Sequence, residues 1–288
     1  MSVSWDVLAL PLLEVVLMGA LAGVVGALAL VHRRIFFTES LTHATFPGAI
    51  LGVVVASWFS RAVLGQRADF ELLSVMVLVG AALMCLPMTW LMRWLSQVPG
   101  LSSQSAAGIV LTLGFALGYF LNSWFKPLPL KVDSFLTGSV LNVGLVDVAA
   151  VAVVLVVAVA VLVVGGRRLT FYSFDALGYR ASGLSATWAE TLILGLVCAT
   201  IVVLIPAVGT ILPIALIAAP AASLAPSTRS IRHLMLGAPL LGAATALAGL
   251  WLGVHLSLSV GGVIATAAGV VYLLSAGARW CVRRSARH

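Results

Sequence analysis

Long apolar runs separated by short polar segments are the dominant pattern of this 288-residue chain. The runs lack the apolar/polar alternation of barrel strands, and most are close to the roughly 20 residues that a helix needs to cross a bilayer. We therefore predict an all-α, polytopic membrane helix bundle with about nine transmembrane helices. The predicted spans are residues 8–31, 40–59, 72–92, 105–123, 146–164, 188–205, 209–225, 234–252 and 257–276.

The seventh predicted span is the least regular of the nine. Residues 206–225 contain Pro206, Pro213 and Pro220 among small residues. Such stretches break locally when neighbouring helices satisfy the freed backbone groups. A broken or re-entrant element here, with eight spans in total, is therefore the alternative.

The composition supports a membrane protein. Hydrophobic residues make up 62% of the chain and charged residues 9%, whereas a soluble domain has roughly 25% charged residues. The net charge of +7 does not predict nucleic acid as a partner, because the basic residues lie in short clusters between apolar runs. We interpret residues 1–288 as a single transmembrane domain.

The basic clusters also predict an orientation. With the N-terminus outside and nine spans, twelve of the 16 lysines and arginines fall on the cytoplasmic side. This asymmetry is typical of cytoplasmic loops, so we expect an N-out, C-in topology.

Glu39 and His43 are the most unusual residues of the second apolar run. Their spacing of four residues places both side chains on one helix face, about one turn apart. Ionisable residues in a membrane helix are costly and are functional candidates by default. A carboxylate and an imidazole suit zinc, manganese or ferrous iron. Alternatively, Glu39 simply favours the positive N-terminal end of a helix.

Two ligands are too few for a tight metal site, because zinc prefers four and manganese takes up to six. A symmetric dimer would supply two carboxylates and two imidazoles across a two-fold axis. We therefore expect a second copy of the chain as a partner.

A polar segment between the fifth and sixth predicted spans is a candidate docking site. Residues 173–183 have aromatic side chains, few charges and glycines. We expect a short helix that begins near Ser173 or Asp175 and ends at Gly183, suited to a groove in a partner protein. An ordinary connecting loop is the alternative.

The sequence contains no phosphate-binding GxxxxGK[ST] motif. The chain therefore does not itself hydrolyse ATP, and we expect a transport protein and not an enzyme. We also expect no covalently bound cofactor.

Several short motifs together resemble the permeases of metal-type ABC importers, the zinc/manganese group. They are Arg33-Arg34 followed by Glu39, His43-Ala44 and Gly48; Phe135-Leu136-Thr137-Gly138-Ser139; Ser173–Gly183; and Val208-Gly209 through Pro220-Ala221-Ala222. They run in the family's order over nearly the whole chain. Glu39 stands where the family usually has Asp, Thr38 where it has Gly, and Ser139 where it has an acid.

The resemblance implies a homodimeric permease subunit in the bacterial plasma membrane. It implies two cytoplasmic ATPase subunits and an extracytoplasmic metal-binding protein as partners. Glu39 and His43 would then be the metal pair. Zinc is the first candidate for the transported ion, and manganese is the second. The residues that couple to the ATPase would be Ser173, Phe174, Asp175, Ala176, Gly178 and Gly183.

Two other functions remain open on the sequence. A stand-alone ion-coupled carrier or channel would need neither a docking segment nor a partner. An iron-chelate ABC permease would need a wide apolar path and no Glu/His pair, so Glu39 and His43 disfavour it.

Overall fold

The computed structural model describes residues 5–65, 69–128, 138–210 and 213–285, and its regular structure there is entirely helical. It also contains a π-helical turn, Ser60–Leu64, and a 3-10 turn, Val140–Asn142. The helices are α1 Trp5–Val31, α2 Ile35–Ala44, α3 Phe46–Phe59, α4 Phe70–Leu95, α5 Ser103–Trp124, α6 Leu145–Phe174, α7 Ala176–Ala181, α8 Ala186–Val208, α9 Pro213–Leu224, α10 Ile231–His255 and α11 Val260–Ser285.

Eight helices of the described residues are each long and apolar enough to cross a membrane. The α2–α3 pair counts as one span, because Thr45 between the two helices keeps helical dihedral angles. The predicted seventh span corresponds to the shorter α9, whose 12 residues extend about 18 Å, less than the roughly 30 Å of the hydrocarbon core. Pro206 lies inside α8, and the break comes at Gly209, whose φ of 80° ends that helix.

The short α9 still carries the chain towards the side of the bundle where α1 ends. Ala221 packs with Ala27 near the end of α1. Arg279, near the end of α11, donates from Nη1 to the carbonyl oxygen of Ser223 at 2.8 Å. The ends of α1, α9 and α11 are therefore on one side, and the chain begins on the opposite side.

Helix α1 packs through glycines against its neighbours. Gly19 and Gly23 lie against Gly242 and Ala238 of the antiparallel α10, and Gly26 lies against Ile217 of α9. A Cβ atom at Gly23 would overlap the Ala238 carbonyl group. Small residues permit this close approach, which membrane helices need because burial from water does not drive their association.

The α2–α3 span is held by two further glycine contacts. Gly114 of α5 lies against Ala44, and Gly48 of α3 lies against the backbone of Gly80 in α4. Pro47 occupies the first turn of α3, where its missing N–H is tolerated. The Pro-Gly pair thus marks the helix junction and also permits close packing.

We predict that Gly23→Ala destabilises the bundle by about 1–3 kcal/mol, because the added methyl group must displace the α10 backbone. Gly269→Ala is the matched control, since a Cβ atom there meets nothing within 4 Å. Thermal unfolding in detergent measures both. Equal midpoints for the two variants would contradict close α1–α10 packing.

Candidate metal site and coupling segment

Helix α2 presents Glu39 and His43 on its accessible stripe. Most other side chains of this helix are buried, including Thr38 and Leu41, whereas Glu39 and His43 are half-buried and Phe36 is exposed. The three accessible residues are spaced three and four positions apart, so they share one face. The structure thus leaves the predicted pair open along one side of an otherwise enclosed helix.

The start of α2 moves the pair away from the edge of the bundle. We expected the second span to begin at residue 40, but α2 begins at Ile35. At 1.5 Å per residue, Glu39 lies about 6 Å and His43 about 12 Å along the span. The pair is therefore inside the helix and not at its first residue.

The His43 imidazole is oriented by aromatic contacts. Its ring lies edge-on to Phe115 of α5, with 5.8 Å between centroids, and Phe115 stacks on Phe46 at 6.1 Å. Nδ1 of His43 is buried without a hydrogen-bond partner. The imidazole is therefore fixed by packing, with its Nδ1 enclosed by the protein.

One chain does not complete a metal site. No group of three or more His, Cys, Asp or Glu side chains with metal-binding geometry occurs among the described residues. Glu39 and His43 therefore offer two ligands within the chain, and further ligands must come from elsewhere.

The predicted docking segment contains a short helix, α7. Asp175 caps it, because its Oδ1 accepts a hydrogen bond from the Gly178 N–H at 2.7 Å. Gly183, with φ of 75°, follows the end of the helix. Ser173 belongs instead to the last turn of α6, where its hydroxyl donates to the Leu169 carbonyl at 2.8 Å. Of the two proposed starting residues, Asp175 is the one that caps the helix.

Helix α7 has one anchored side and one exposed apolar side. Tyr179 is 1% exposed and lies 5.6 Å from the Phe171 ring and 5.3 Å from the Tyr172 ring. Phe174 and Leu177 are 68% and 79% exposed. Exposed apolar side chains beside an anchored helix are typical of an interaction surface.

The turn between α1 and α2 contacts both flanks of this segment. Ser173 Oγ lies 3.3 Å from Nδ1 of His32, whose ring is 5.2 Å from the Tyr172 ring. Arg34 donates from Nη2 to Oε1 of Glu190 in α8 at 3.0 Å. Burial lowers the pKa of the His32 imidazole, the Arg34 charge lowers it further, and the Glu190 carboxylate opposes that shift.

The sequence did not indicate these contacts. They join residues 141 and 156 positions apart, and no local pattern relates such positions. It also gave no signal that Glu14 of α1 and Asp147 of α6 are both buried, with Glu14 fully enclosed. These carboxylates lie on different helices from Glu39.

Gly138 and Ser139, the last two residues of the Phe135–Ser139 motif, pack on the break between α8 and α9. The Ser139 N–H donates to the Pro206 carbonyl at 3.2 Å, and Gly138, with φ of 68°, lies against the backbone of residues 207–209. Residues 135–137 of this motif and residues 211–212 of the proline-rich motif lie outside the described residues. The two motifs thus meet at one place in the fold.

The sequence has relatives named for metal transport. It is 26% identical to the zinc transport system membrane protein TroC of Treponema pallidum, over 81% of this chain and 75% of that protein. It is 22% identical to the manganese transport system membrane protein MntC of Halalkalibacterium halodurans, over 94% and 87%. A probable iron transport system membrane protein of Haemophilus influenzae is 27% identical, over 63% and 64%.

A solved structure shares the fold. The match is to PsaBC from Streptococcus pneumoniae in complex with Fab, with a TM-score of 0.79, 23% identity, and coverage of 94% of this chain and 91% of that one. The two chains therefore share one helix-bundle fold. The chain belongs to the ABC 3 transport family, which matches residues 4–278, and the resemblance drawn from its motifs is confirmed.

Proposed function

We propose that this chain is the permease subunit of an ATP-driven importer that moves a divalent transition metal across the bacterial plasma membrane. The observation that carries the proposal is the accessible Glu39/His43 pair on the otherwise buried α2. Family membership and the relatives named for zinc, manganese and iron transport support the same class of cargo. Residues 1–288 form the single transmembrane permease domain in this proposal.

The metal site forms between two copies of the chain. Each copy contributes one carboxylate and one imidazole from the exposed stripe of α2. A two-fold axis beside this stripe gives four ligands. This set suits zinc best, and manganese is the second candidate. A site without further ligands also releases its ion readily, which a transport path requires.

Energy for transport comes from separate ATPase subunits, which dock on α7 and its flanking residues. Ser173, Phe174, Asp175, Ala176, Gly178 and Gly183 make up this segment. Phe174 and Leu177 supply the apolar contact, while the buried Tyr179 holds the helix to the bundle. The chain itself contributes no catalytic group to ATP hydrolysis.

The orientation follows the basic residues. Arg33, Arg93 and Arg180 lie at helix ends on the side of α7, so that side is cytoplasmic and the topology is N-out, C-in. The opposite side, where Gly138 and Ser139 pack on the α8 end, faces the extracytoplasmic metal-binding protein.

The alternatives make different demands. A stand-alone carrier or channel has no need of an exposed apolar helix such as α7. An iron-chelate permease would carry a bulky ligand past α2, where a half-buried Glu/His pair serves no purpose. Both fit the described residues less well than a metal-ion permease.

We predict that His43→Ala lowers metal uptake by about tenfold or more, because it removes the only imidazole of the exposed α2 stripe. Glu39→Ala has the same effect, whereas Glu39→Asp keeps the charge and retains part of the uptake. The assay uses proteoliposomes containing the permease, its ATPase subunits and binding protein loaded with zinc or manganese.

His255→Ala is the matched control, because His255 is an exposed histidine at the far end of α10 that contacts Trp251. It should transport like the unmodified protein. Normal uptake by both His43→Ala and Glu39→Ala would overturn the site assignment.

We predict that Ala176→Arg weakens ATPase binding at least about tenfold, which corresponds to about 1.4 kcal/mol. Ala176 is exposed in the first turn of α7, so an arginine there puts a charge in the apolar contact without disturbing a span. Pull-down of the ATPase by purified permease measures the effect.

Ala62→Arg serves as its control, since Ala62 is exposed on the opposite side of the bundle. It should bind the ATPase normally, as should the Glu39 and His43 variants. Normal ATPase binding by Ala176→Arg would show that residues 173–183 are only a connecting loop.

A further inference from the structure

The three-residue turn His32–Arg34 connects α1 directly to the helix that bears Glu39 and His43. It is tied to α1 by backbone hydrogen bonds, including Arg34 N–H to the Ala29 carbonyl at 2.9 Å. The Arg34 carbonyl in turn accepts from the Thr38 N–H of α2 at 3.2 Å. Arg33 has a φ of 57°, a backbone conformation that residues other than glycine rarely adopt, so the turn has one specific geometry. A displacement of the turn therefore moves α2.

An aromatic path leads from α7 to this turn. Tyr179 of α7 contacts the Tyr172 ring at 5.3 Å, and Tyr172 contacts the His32 ring at 5.2 Å. Ser173 adds a polar contact to Nδ1 of His32 at 3.3 Å. The buried Tyr179 thus connects the exposed face of α7 to His32 through one intermediate ring.

A second connection comes from the other flank of the segment. Glu190 of α8 lies seven residues beyond Gly183, and its Oε1 accepts from Nη2 of Arg34 at 3.0 Å. This is the only salt bridge between side chains in the described residues. Residues on both flanks of the coupling segment therefore hold the same turn.

The energetics indicate that this ion pair is not needed for folding. The two side chains are 30% and 25% exposed, and such accessible ion pairs contribute little to stability. Its position is more informative than its strength. Arg34 lies about 7.5 Å along the helix from Glu39 and about 13.5 Å from His43, at 1.5 Å per residue.

We propose that the His32–Arg34 turn is the link through which movement of α7 reaches the metal-binding stripe of α2. His32 and Arg34 are positioning residues, with Tyr172, Tyr179 and Glu190 as their partners on the coupling side. The inference rests on the proposed function, because it presumes that an ATPase moves α7. It assigns how that movement is transmitted within the permease.

The test compares Arg34→Glu, Glu190→Arg and the double charge swap in the reconstituted complex with its ATPase subunits. Zinc and manganese, each delivered by the loaded binding protein, are the probes. The readouts are metal taken up per ATP hydrolysed, and ATPase co-purification. Each single reversal should keep ATPase binding but lower uptake per ATP by about fivefold or more. The double swap restores opposite charges and should recover most of the ratio.

Two further variants keep the result interpretable. Glu190→Gln removes the charge without repulsion, and a reduced ratio is expected even if the reversals assemble poorly. Arg93→Gln is the control, because Arg93 donates to Thr191, the neighbour of Glu190, at 3.3 Å and has no hydrogen bond to the turn among the described residues. Its ratio should be unchanged.

Unchanged uptake per ATP in Glu190→Gln and both reversals would overturn the link while leaving the proposed function intact. The link would also be overturned if the double swap failed to recover uptake per ATP. Loss of the Arg34–Glu190 ion pair would then not explain the reduced ratio. If the unmodified complex moves neither metal, the proposed function fails, and the link fails with it.

Discussion

The cost of an ionisable side chain in the hydrocarbon core determines how this protein is built. A carboxylate and an imidazole on a membrane helix must face a partner or an aqueous path, because lipid satisfies neither. Helix α2 meets this constraint by burying its apolar side among neighbouring helices and leaving Glu39 and His43 on its accessible stripe. The close glycine contacts of Gly114 with Ala44 and of Gly48 with Gly80 fix the position of this span.

The same constraint explains why the proposed coupling segment is at the end of the bundle and not within it. The turn His32–Arg34, the end of α6 and the start of α8 lie where polar groups reach water. There, Arg34 and Glu190 pair without a large desolvation penalty. Tyr179 anchors α7, while Phe174 at the end of α6 and Leu177 of α7 stay exposed. In the proposed function, metal binding and ATPase docking therefore use different chemistry a few helical turns apart.

The residues alone were sufficient to predict an all-α membrane bundle, because apolar run length reports directly on helices that must satisfy their own backbone. They also located the α7 region, since Asp175 and Gly183 are local signals for a cap and a stop. The hydrophobic pattern predicted that this span begins at residue 40, five residues after its observed start at Ile35, because residues 35–39 include both polar and apolar side chains. The hydrophobic pattern also predicted a full span over residues 209–225, whereas the structure has the short helix α9, Pro213–Leu224. Long-range contacts such as His32–Ser173 depend on tertiary packing and had no sequence signal.

The central claim is that two copies of the chain share one metal ion between their Glu39 and His43 side chains. Equilibrium zinc binding to the purified permease, combined with X-ray absorption at the zinc edge, tests it most directly. We expect one zinc per two chains with two imidazole ligands, and loss of that zinc in His43→Ala. One zinc per chain, or undiminished binding by His43→Ala, would contradict the account.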